Sequence, residues 1–196
     1  MSSHHIIREH QEPALIVYDF TGFSFEYLQQ LLGWSPLVVA SERSFSELVE
    51  LGIKVDVLII NGPNHKFGNL IDEQVPIEVV YARDFLNGAI ELLDRKRHYA
   101  FSIILNDEHS INQIPINGLP EFSISAYCEK KRWLIINDKT FTKWYPKGCQ
   151  LEVRNLAGQQ LEFQGTLGPV VLENDQRISV TQNPPFAVIE DLTQEG

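Results

Sequence analysis

Residues 51–60 read LGIKVDVLII, and this stretch decides the fold of the first half of the chain. Gly52 follows a run with helical spacing, and glycine readily takes the left-handed conformation that ends a helix. Val55 to Ile60 is a nearly continuous apolar run, which is typical of a strand buried on both faces. A helix that leads directly into such a strand predicts a parallel sheet covered by helices.

The same alternation of strand and helix extends in both directions from this stretch. Apolar runs predict five strands, at Ala14 to Tyr18, Leu37 to Ala40, Val55 to Ile60, Ile77 to Ala82 and Phe101 to Leu105. Helical spacing of apolar residues follows the first, second and fourth runs, and a polar loop is predicted after the third. Strands joined by helices of this length predict a mostly parallel, three-layer α/β domain.

Three residues are predicted to mark the starts of these helices. Ser24 and Asp84 precede apolar helical faces and are residue types that accept a hydrogen bond from the first turn of a helix. Ser44, with Glu47 three residues later, has the form of a capping box. We therefore expect a helix to begin directly after each of these positions.

The second part of the chain has a different pattern. From Phe122 onward, short alternating strands are separated by turn residues, and no convincing helix is found. Val170 to Leu172 is expected to pair with Ile178 to Val180 across a short turn. We predict an α/β domain over residues 1–115 and an antiparallel β sandwich or barrel over residues 116–196.

Composition narrows the classes of partner. The chain has 196 residues and a formal net charge of −10. A surface this negative repels phosphate backbones and anionic lipid, so neither nucleic acid nor a membrane is expected as a partner, although a local pocket for a nucleotide stays open. The first apolar run is too short for a signal segment or a membrane span, so a cytoplasmic protein is expected. Cys128 and Cys149 lack metal-binding spacing and are interpreted as free thiols, with a disulfide as the alternative.

An α/β domain followed by a β domain, at about this length, resembles the arrangement of the thiamine pyrophosphokinases. Residues 51–60 are similar to the family's segment in which a helix ends at L-G-I and x-P-D leads into an apolar strand. In the family that strand runs into G-D-F-D-S, whose aspartates help to hold Mg²⁺ while a pyrophosphoryl group passes from ATP to thiamine. The resemblance implies Mg²⁺ and ATP as cofactors if that activity is retained, thiamine or a nucleotide as the ligand, and a homodimer.

The aspartates of the family are largely absent from this chain. The strand runs into residues 61–65, NGPNH, where Gly62 and Asn64 occupy the two aspartate positions. The next family motif, K-D-x-T-D, appears at residues 83–87 as RDFLN, with Asn87 in place of its second aspartate. Because Mg²⁺ takes carboxylate oxygens and binds weakly to neutral amides, these departures predict weak or lost catalysis.

Two further motifs of the family have even weaker counterparts. A-D-G-G falls on residues 40–43, ASER, without its aspartate or its glycines. G-G-R-x-D-H has only a faint counterpart in Asp107, Glu108 and His109. These three residues follow a predicted buried strand, so they are expected near the same carboxyl edge of the sheet as residues 61–65, where ligands bind in open α/β sheets.

A small set of polar and aromatic residues forms the candidate site. The candidates for catalysis are Asp84, Asp107 and Glu108, and those for ligand binding are Asn61, Asn64, His65, Arg83, Asn87, His109, Trp133 and Trp144. The two tryptophans would stack on a flat heterocycle such as the pyrimidine of thiamine. Each group also has a structural interpretation: a tight turn for residues 61–65, a helix cap for Asp84, a solvated connection for residues 107–109, and core or interface packing for the tryptophans.

Three hypotheses about function follow. The chain is a divergent thiamine pyrophosphokinase-like protein with weak or lost catalysis, or it is a binding or regulatory module that uses the same cleft without turnover. The third hypothesis is an Mg²⁺-dependent transferase with relocated carboxylates, which requires Asp84 to converge with residues 107–109.

Overall fold

The computed structural model describes residues 13–34, 36–61, 67–115 and 122–193. It divides into two compact units between Ile104 and Leu105. Neither unit contains, in these described ranges, a helix long and apolar enough to cross a bilayer.

The first unit is a parallel sheet with helices between its strands. The strands are β1 Ala14–Val17, β2 Leu37–Ser41, β3 Val57–Ile60, β4 Glu78–Tyr81 and β5 Ala100–Ile104. The helices are α1 Phe25–Leu32, α2 Phe45–Glu50, α3 Gly68–Glu73 and α4 Phe85–Lys96. Within this unit the strand order is β5-β1-β2-β3-β4, and all of these pairs are parallel. The predicted parallel α/β domain is confirmed.

Helices cover both faces of this sheet. On one face, Leu58 of β3 belongs to a buried cluster with Leu28 of α1 and Phe45 of α2. The neighbouring Ile59 points to the opposite face, where it lies beside Gly88 of α4. This alternation explains why β3 is apolar at every position and reads as a continuous run.

The ends of the helices confirm some of the predictions and correct others. Ser24 accepts a hydrogen bond from the Tyr27 N–H at 3.4 Å, and Gly52 has a φ of +72°, both as predicted. The capping box at Ser44 is wrong, because its hydroxyl makes no cap and instead donates to the Val17 carbonyl at 2.7 Å. Residues 68–73, predicted as loop, form α3, whose apolar residues pack against the core of this unit.

The second unit begins with a short 3₁₀ helix and continues as antiparallel strands. The 3₁₀ helix is Glu108–Gln113, and the strands are β6 Ser123–Cys128, β7 Lys131–Ile136, β8 Thr140–Tyr145, β9 Gln150–Asn155, β10 Glu162–Phe163, β11 Thr166–Leu167, β12 Val170–Val171, β13 Gln176–Thr181 and β14 Phe186–Asp191. Within this unit the largest set of paired strands has the order β12-β9-β14-β7-β6, while β8 pairs with β13 and β10 with β11. The predicted antiparallel β fold is confirmed.

The predicted hairpin between residues 170–172 and 178–180 is wrong. Val170 pairs with Leu151 of β9, and Ile178 pairs with Lys143 of β8. A short connection does join the two strands, but it carries the chain from the sheet that contains β12 to the sheet that contains β13. The apolar faces of the strands therefore determine the pairing, and the shortness of the connection does not.

The β12-β9-β14-β7-β6 sheet has two different faces. Val153 and Val188 lie on the face that packs against Ile178 and forms the apolar core of the unit. Arg154 of β9 follows Val153, and Trp133 of β7 pairs with Ile189, which follows Val188. Both residues therefore lie on the opposite face, where charged side chains are partly buried. Both faces carry candidate functional residues.

Candidate functional sites

Asn61 connects three loops at the carboxyl edge of the parallel sheet. Its backbone N–H donates to the Glu42 carboxylate at 3.0 Å, and its side-chain amide donates to the Arg83 carbonyl at 3.1 Å. The residues that follow β2, β3 and β4 are thereby held together where open α/β sheets bind ligands. The neighbouring candidates Asn64 and His65 lie outside the described residues.

Asp84 is the N-cap of α4, as its cap interpretation predicted. One carboxylate oxygen accepts hydrogen bonds from both the backbone N–H and the side-chain amide of Asn87, each at 2.8 Å. Arg83, Asp84 and Asn87 are all exposed. Two of the predicted ligand-binding residues therefore lie beside Asp84: Arg83 precedes it in the chain, and Asn87 is hydrogen-bonded to it.

The loops after β1 and β2 contribute a group that the sequence analysis missed. The Arg43 guanidinium lies over the Tyr18 ring at 5.3 Å and reaches the Asp19 carboxylate at 4.0 Å. The buried Ser41 hydroxyl donates to the Tyr18 carbonyl, which fixes the chain at the end of β1. The sequence contains only one signal for this arrangement, which is the polar segment directly after each strand.

These residues do not fit an Mg²⁺ centre. Among the residues that the structure describes, no group of three or more His, Cys, Asp or Glu side chains is placed to hold a metal ion. The carboxylates of Glu42 and Asp84 accept hydrogen bonds from amides of the protein, and residues 62–66, GPNHK, contain no carboxylate. A hard divalent cation prefers several free carboxylate oxygens, which this donor set does not supply.

Glu108, in the second unit, lies between two cations. Its carboxylate is 2.5 Å from the Lys131 ammonium and 3.0 Å from the Arg154 guanidinium. Burial alone would raise the pKa of Glu108, but Lys131 and Arg154 together hold that pKa below its usual value. Asp107 caps the 3₁₀ helix by accepting from the Ser110 N–H at 2.8 Å. The third member of this predicted group, His109, is exposed.

Arg154 extends this cluster into a partly buried network. Its guanidinium donates two hydrogen bonds to the Glu152 carboxylate, at 2.6 and 2.8 Å, and this pairing raises the pKa of Arg154. It also lies over the ring of Trp133 at 5.4 Å. Trp133 is only 3% exposed, and its indole N–H has no hydrogen-bond partner in the described part of the chain. Of its two predicted roles, the structure favours core packing for Trp133.

Trp144 has the opposite environment. It is 63% exposed and lines a pocket of about 230 Å³, which we call the Trp144 pocket. The lining residues of the Trp144 pocket are Lys143, Trp144, Tyr145, Pro146, Lys147, Gly148, Cys149, Gln150, Leu151, Glu190, Asp191 and Leu192. The pocket lies entirely within the second unit.

Glu190 organises one wall of the Trp144 pocket. One oxygen of its carboxylate accepts from the Tyr145 hydroxyl and from the Lys143 ammonium, each at 2.6 Å, and the other oxygen is 3.6 Å from Arg132. Burial and the hydrogen bond to Glu190 raise the pKa of Tyr145 far above its usual value, so the phenol stays a neutral donor. The Glu190 carboxylate is therefore held by three neighbouring side chains, two of them cationic.

The chemistry of the Trp144 pocket suits a flat ligand. An exposed indole stacks on aromatic rings, and the ammonium group of Lys147 on the same pocket can bind an acceptor or anionic substituent. Trp144 was among the residues predicted from the sequence, whereas Glu190 was not. The only signal for Glu190 is a carboxylate at the end of the apolar run at residues 186–189, and its partners come from distant strands.

Cys128 is a poor nucleophile. Both cysteines are free thiols, as interpreted from the sequence. Burial, together with the nearby Glu108 carboxylate, raises the pKa of Cys128 to about 12, so its reactive thiolate form is scarce near neutral pH.

Comparisons with known proteins connect this architecture to one group of enzymes. No protein-family model and no curated protein sequence matches the chain. Solved structures do match: thiamine pyrophosphokinase from Bacillus subtilis has a TM-score of 0.58 at 13% identity, with 93% of this chain and 99% of that chain covered. The enzyme from Geobacillus thermodenitrificans has a TM-score of 0.64 at 12% identity, covering 92% and 98%. The enzyme from Candida albicans has a TM-score of 0.62 at 9% identity, covering 91% and 88%.

Identities this low establish a likeness of fold. The chain has an α/β fold similar to that of the thiamine pyrophosphokinases, with an N-terminal parallel sheet and C-terminal antiparallel strands. The resemblance to the thiamine pyrophosphokinases that residues 51–60 predicted is confirmed for the fold.

Proposed function

We propose that this chain is a divergent thiamine pyrophosphokinase-like protein that binds a flat heterocyclic metabolite and has weak or no pyrophosphokinase activity. The observation that carries the proposal is at the carboxyl edge of the parallel sheet. There the carboxylates of Glu42 and Asp84 accept hydrogen bonds from Asn61 and Asn87, and within the described part of the chain they belong to no group that could hold a metal.

The expected loss of catalysis follows from the energetics of phosphoryl transfer. This chemistry depends on positioning and on neutralising the charge that develops on phosphate oxygens, usually through Mg²⁺. Removing a single electrostatic contact of this kind costs about 10²–10³ in rate. Neutral Gly62, Asn64 and Asn87 at three positions where the related motifs carry aspartate therefore support a protein that binds without efficient turnover.

The Trp144 pocket is the proposed ligand site. Stacking of a ring on an exposed aromatic side chain is worth about 1–3 kcal/mol by alanine substitution. Thiamine is the first ligand to test because its pyrimidine is flat and because the structural relatives are named for acting on it. The homodimer implied by the resemblance belongs to the same proposal, and sedimentation velocity would test it.

Calorimetric titration with thiamine tests this proposal, with and without Mg²⁺ and a non-hydrolysable ATP analogue. We expect saturable thiamine binding that Trp144→Ala weakens about tenfold, which corresponds to the loss of one stacking contact. Trp34→Ala is the matched control, because Trp34 is 75% exposed and belongs to the first unit. Equal weakening by both substitutions, or no thiamine binding at all, would contradict the assignment of the ligand and of the pocket.

A further inference from the structure

Among the strands that the structure describes, β4 presents an edge with no partner strand. In the sheet of the first unit it is the terminal strand and pairs with β3. The N–H groups of Glu78 and Ala82 donate towards β3, to the carbonyls of Asp56 and Ile60, at 2.9 and 3.0 Å. Because alternate residues of a strand direct their backbone groups to opposite sides, Val79 and Tyr81 direct theirs away from β3. A strand edge of this kind is a template for a further strand.

A groove runs beside this edge, between β4 and α4. We call it the β4–α4 groove; its volume is about 500 Å³ and it is lined by Val80, Tyr81, Ala82, Gly88, Glu91, Asp94 and Arg95. All of these residues belong to the first unit. The Tyr81 side chain is 65% exposed, which leaves a large apolar surface uncovered at the strand edge.

Both ends of the β4–α4 groove are defined by contacts. At one end α4 touches the chain just after β4, since a Cβ at Gly88 would lie only 2.5 Å from the Ala82 Cβ. At the other end the Lys96 ammonium is 2.8 Å from the Glu78 carboxylate. The helix between these contacts is about 12 Å long at 1.5 Å per residue. That length accommodates about four residues of extended chain at roughly 3.3 Å each.

The charge of the groove indicates the kind of segment it would hold. Glu91 and Asp94 are exposed on α4, and neither forms an ion pair with another described residue. Arg95 is the only cation among the lining residues, so the groove carries a net negative charge. The chain as a whole has a net charge of −10, which also attracts basic partners.

We propose that the free edge of β4 and the β4–α4 groove bind an extended segment of a partner protein, with a lysine or arginine side chain facing Glu91 and Asp94. The segment would pair with the outward backbone groups of Val79 and Tyr81, so that main-chain hydrogen bonds supply affinity and the acidic groove supplies specificity. This inference is independent of the proposed function, because β4 and α4 belong to the first unit and the Trp144 pocket belongs to the second. It also requires no metabolite.

Fluorescence anisotropy with labelled pentapeptides tests the proposal on the full chain. The probe alternates valine and lysine, Val-Lys-Val-Lys-Val, and a first control replaces both lysines with glutamate. Two further controls carry N-methyl groups on one or the other set of alternate backbone nitrogens, since only one set can face β4. We expect saturable binding of the basic peptide, and binding at least about tenfold weaker for the glutamate peptide and for one N-methyl peptide. No binding of the basic peptide at millimolar concentration would overturn the proposal, as would equal binding of all peptides.

Substitutions in the protein locate the binding. Tyr81→Pro removes one outward N–H and keeps the ladder to β3, because proline is tolerated where the N–H of an edge strand faces solvent. Tyr81→Ala is its control, because it removes the ring and keeps that N–H. We expect Tyr81→Pro to bind at least about tenfold more weakly than Tyr81→Ala. The melting temperature of each variant shows whether it is folded.

Charge reversal gives a second, independent readout. Replacing Glu91 and Asp94 together with lysine is expected to reverse the preference from the lysine peptide to the glutamate peptide. If the double variant keeps the original preference and Tyr81→Pro binds like Tyr81→Ala, the proposal is wrong. If the protein self-associates and Tyr81→Pro alone abolishes this, the occupant is a second copy of the chain and the partner proposal is overturned.

Discussion

Glu108 and Glu190 are each held by two cations that come from two different strands. Glu108 contacts Lys131 and Arg154, and Glu190 contacts Lys143 and Arg132. Removing one partner from such a cluster leaves the other charges uncompensated in a partly dry environment. At the scale of single residues, we therefore expect these carboxylates to matter for the stability of the second unit.

Glu108→Gln is predicted to lower the free energy of unfolding by about 1–2 kcal/mol near neutral pH, because it removes the charge from two hydrogen-bonded ion pairs. The folded-state pKa of Glu108 lies below its ordinary value of 4.5, so its contribution is present above that pH and is lost as pH falls through the folded pKa. Urea unfolding at several pH values measures the gap between parent and variant, which should narrow in acid.

Glu173→Gln is the control for this experiment, because Glu173 is exposed and forms no ion pair with a described residue. Its free energy of unfolding should match that of the parent at each pH. A gap for Glu108→Gln that stays constant from neutral to acid pH would contradict the ion-pair explanation.

At the scale of elements, the carboxyl edge of the first unit is organised by backbone contacts. Asn61 connects the loops after β2, β3 and β4 with two hydrogen bonds, and Asp84 fixes the start of α4. The position of α4 then depends on how closely Gly88 approaches Ala82. This contact places the helix over the sheet and closes one end of the β4–α4 groove.

Gly88→Ala is predicted to destabilise the protein although alanine is the better helix former by about 1 kcal/mol. The added Cβ would meet the Ala82 Cβ at 2.5 Å, and overpacking of this kind typically costs about 1–3 kcal/mol. In an Ala82→Gly background the same substitution should be neutral or stabilising. Thermal or urea unfolding of the four proteins measures the coupling; equal effects in both backgrounds would show that the contact is not limiting.

The elements that sequence predicts well are those specified by local pattern. Residues 57–60 are apolar at every position and form the doubly buried strand β3, and Asp84 is followed directly by the helix that it caps. Ser44 failed because the Val17 carbonyl, distant in sequence, offered its hydroxyl a better partner. The predicted pairing of β12 with β13 failed for the same reason, since packing in the core selects β9 as the partner of β12.

The candidate site shows the same division between local and distant information. Trp144 could be proposed because an aromatic side chain able to stack on a heterocycle is visible in the sequence itself. Glu190 was missed because its hydrogen-bond partners, Lys143 and Tyr145, lie on a strand more than forty residues away along the chain. These partners compensate the cost of burying its charge. Long-range charge compensation leaves no periodic signal.

At the scale of the whole molecule, the likeness of fold to known structures is accompanied by little identity of sequence. The match to the Geobacillus thermodenitrificans enzyme has a TM-score of 0.64 at only 12% identity. Buried patterns such as residues 55–60 tolerate many apolar substitutions, whereas a metal site requires particular carboxylates at particular positions. Fold and activity can therefore diverge separately.

An assay for AMP release from ATP in the presence of thiamine and Mg²⁺ tests the central claim most directly. The account predicts no release above background in the parent protein, in Asp84→Asn or in Glu108→Gln, because neither carboxylate belongs to a metal-binding group among the residues that the structure describes. Magnesium-dependent release of AMP that both substitutions abolish would contradict the account and would establish a transferase with relocated carboxylates.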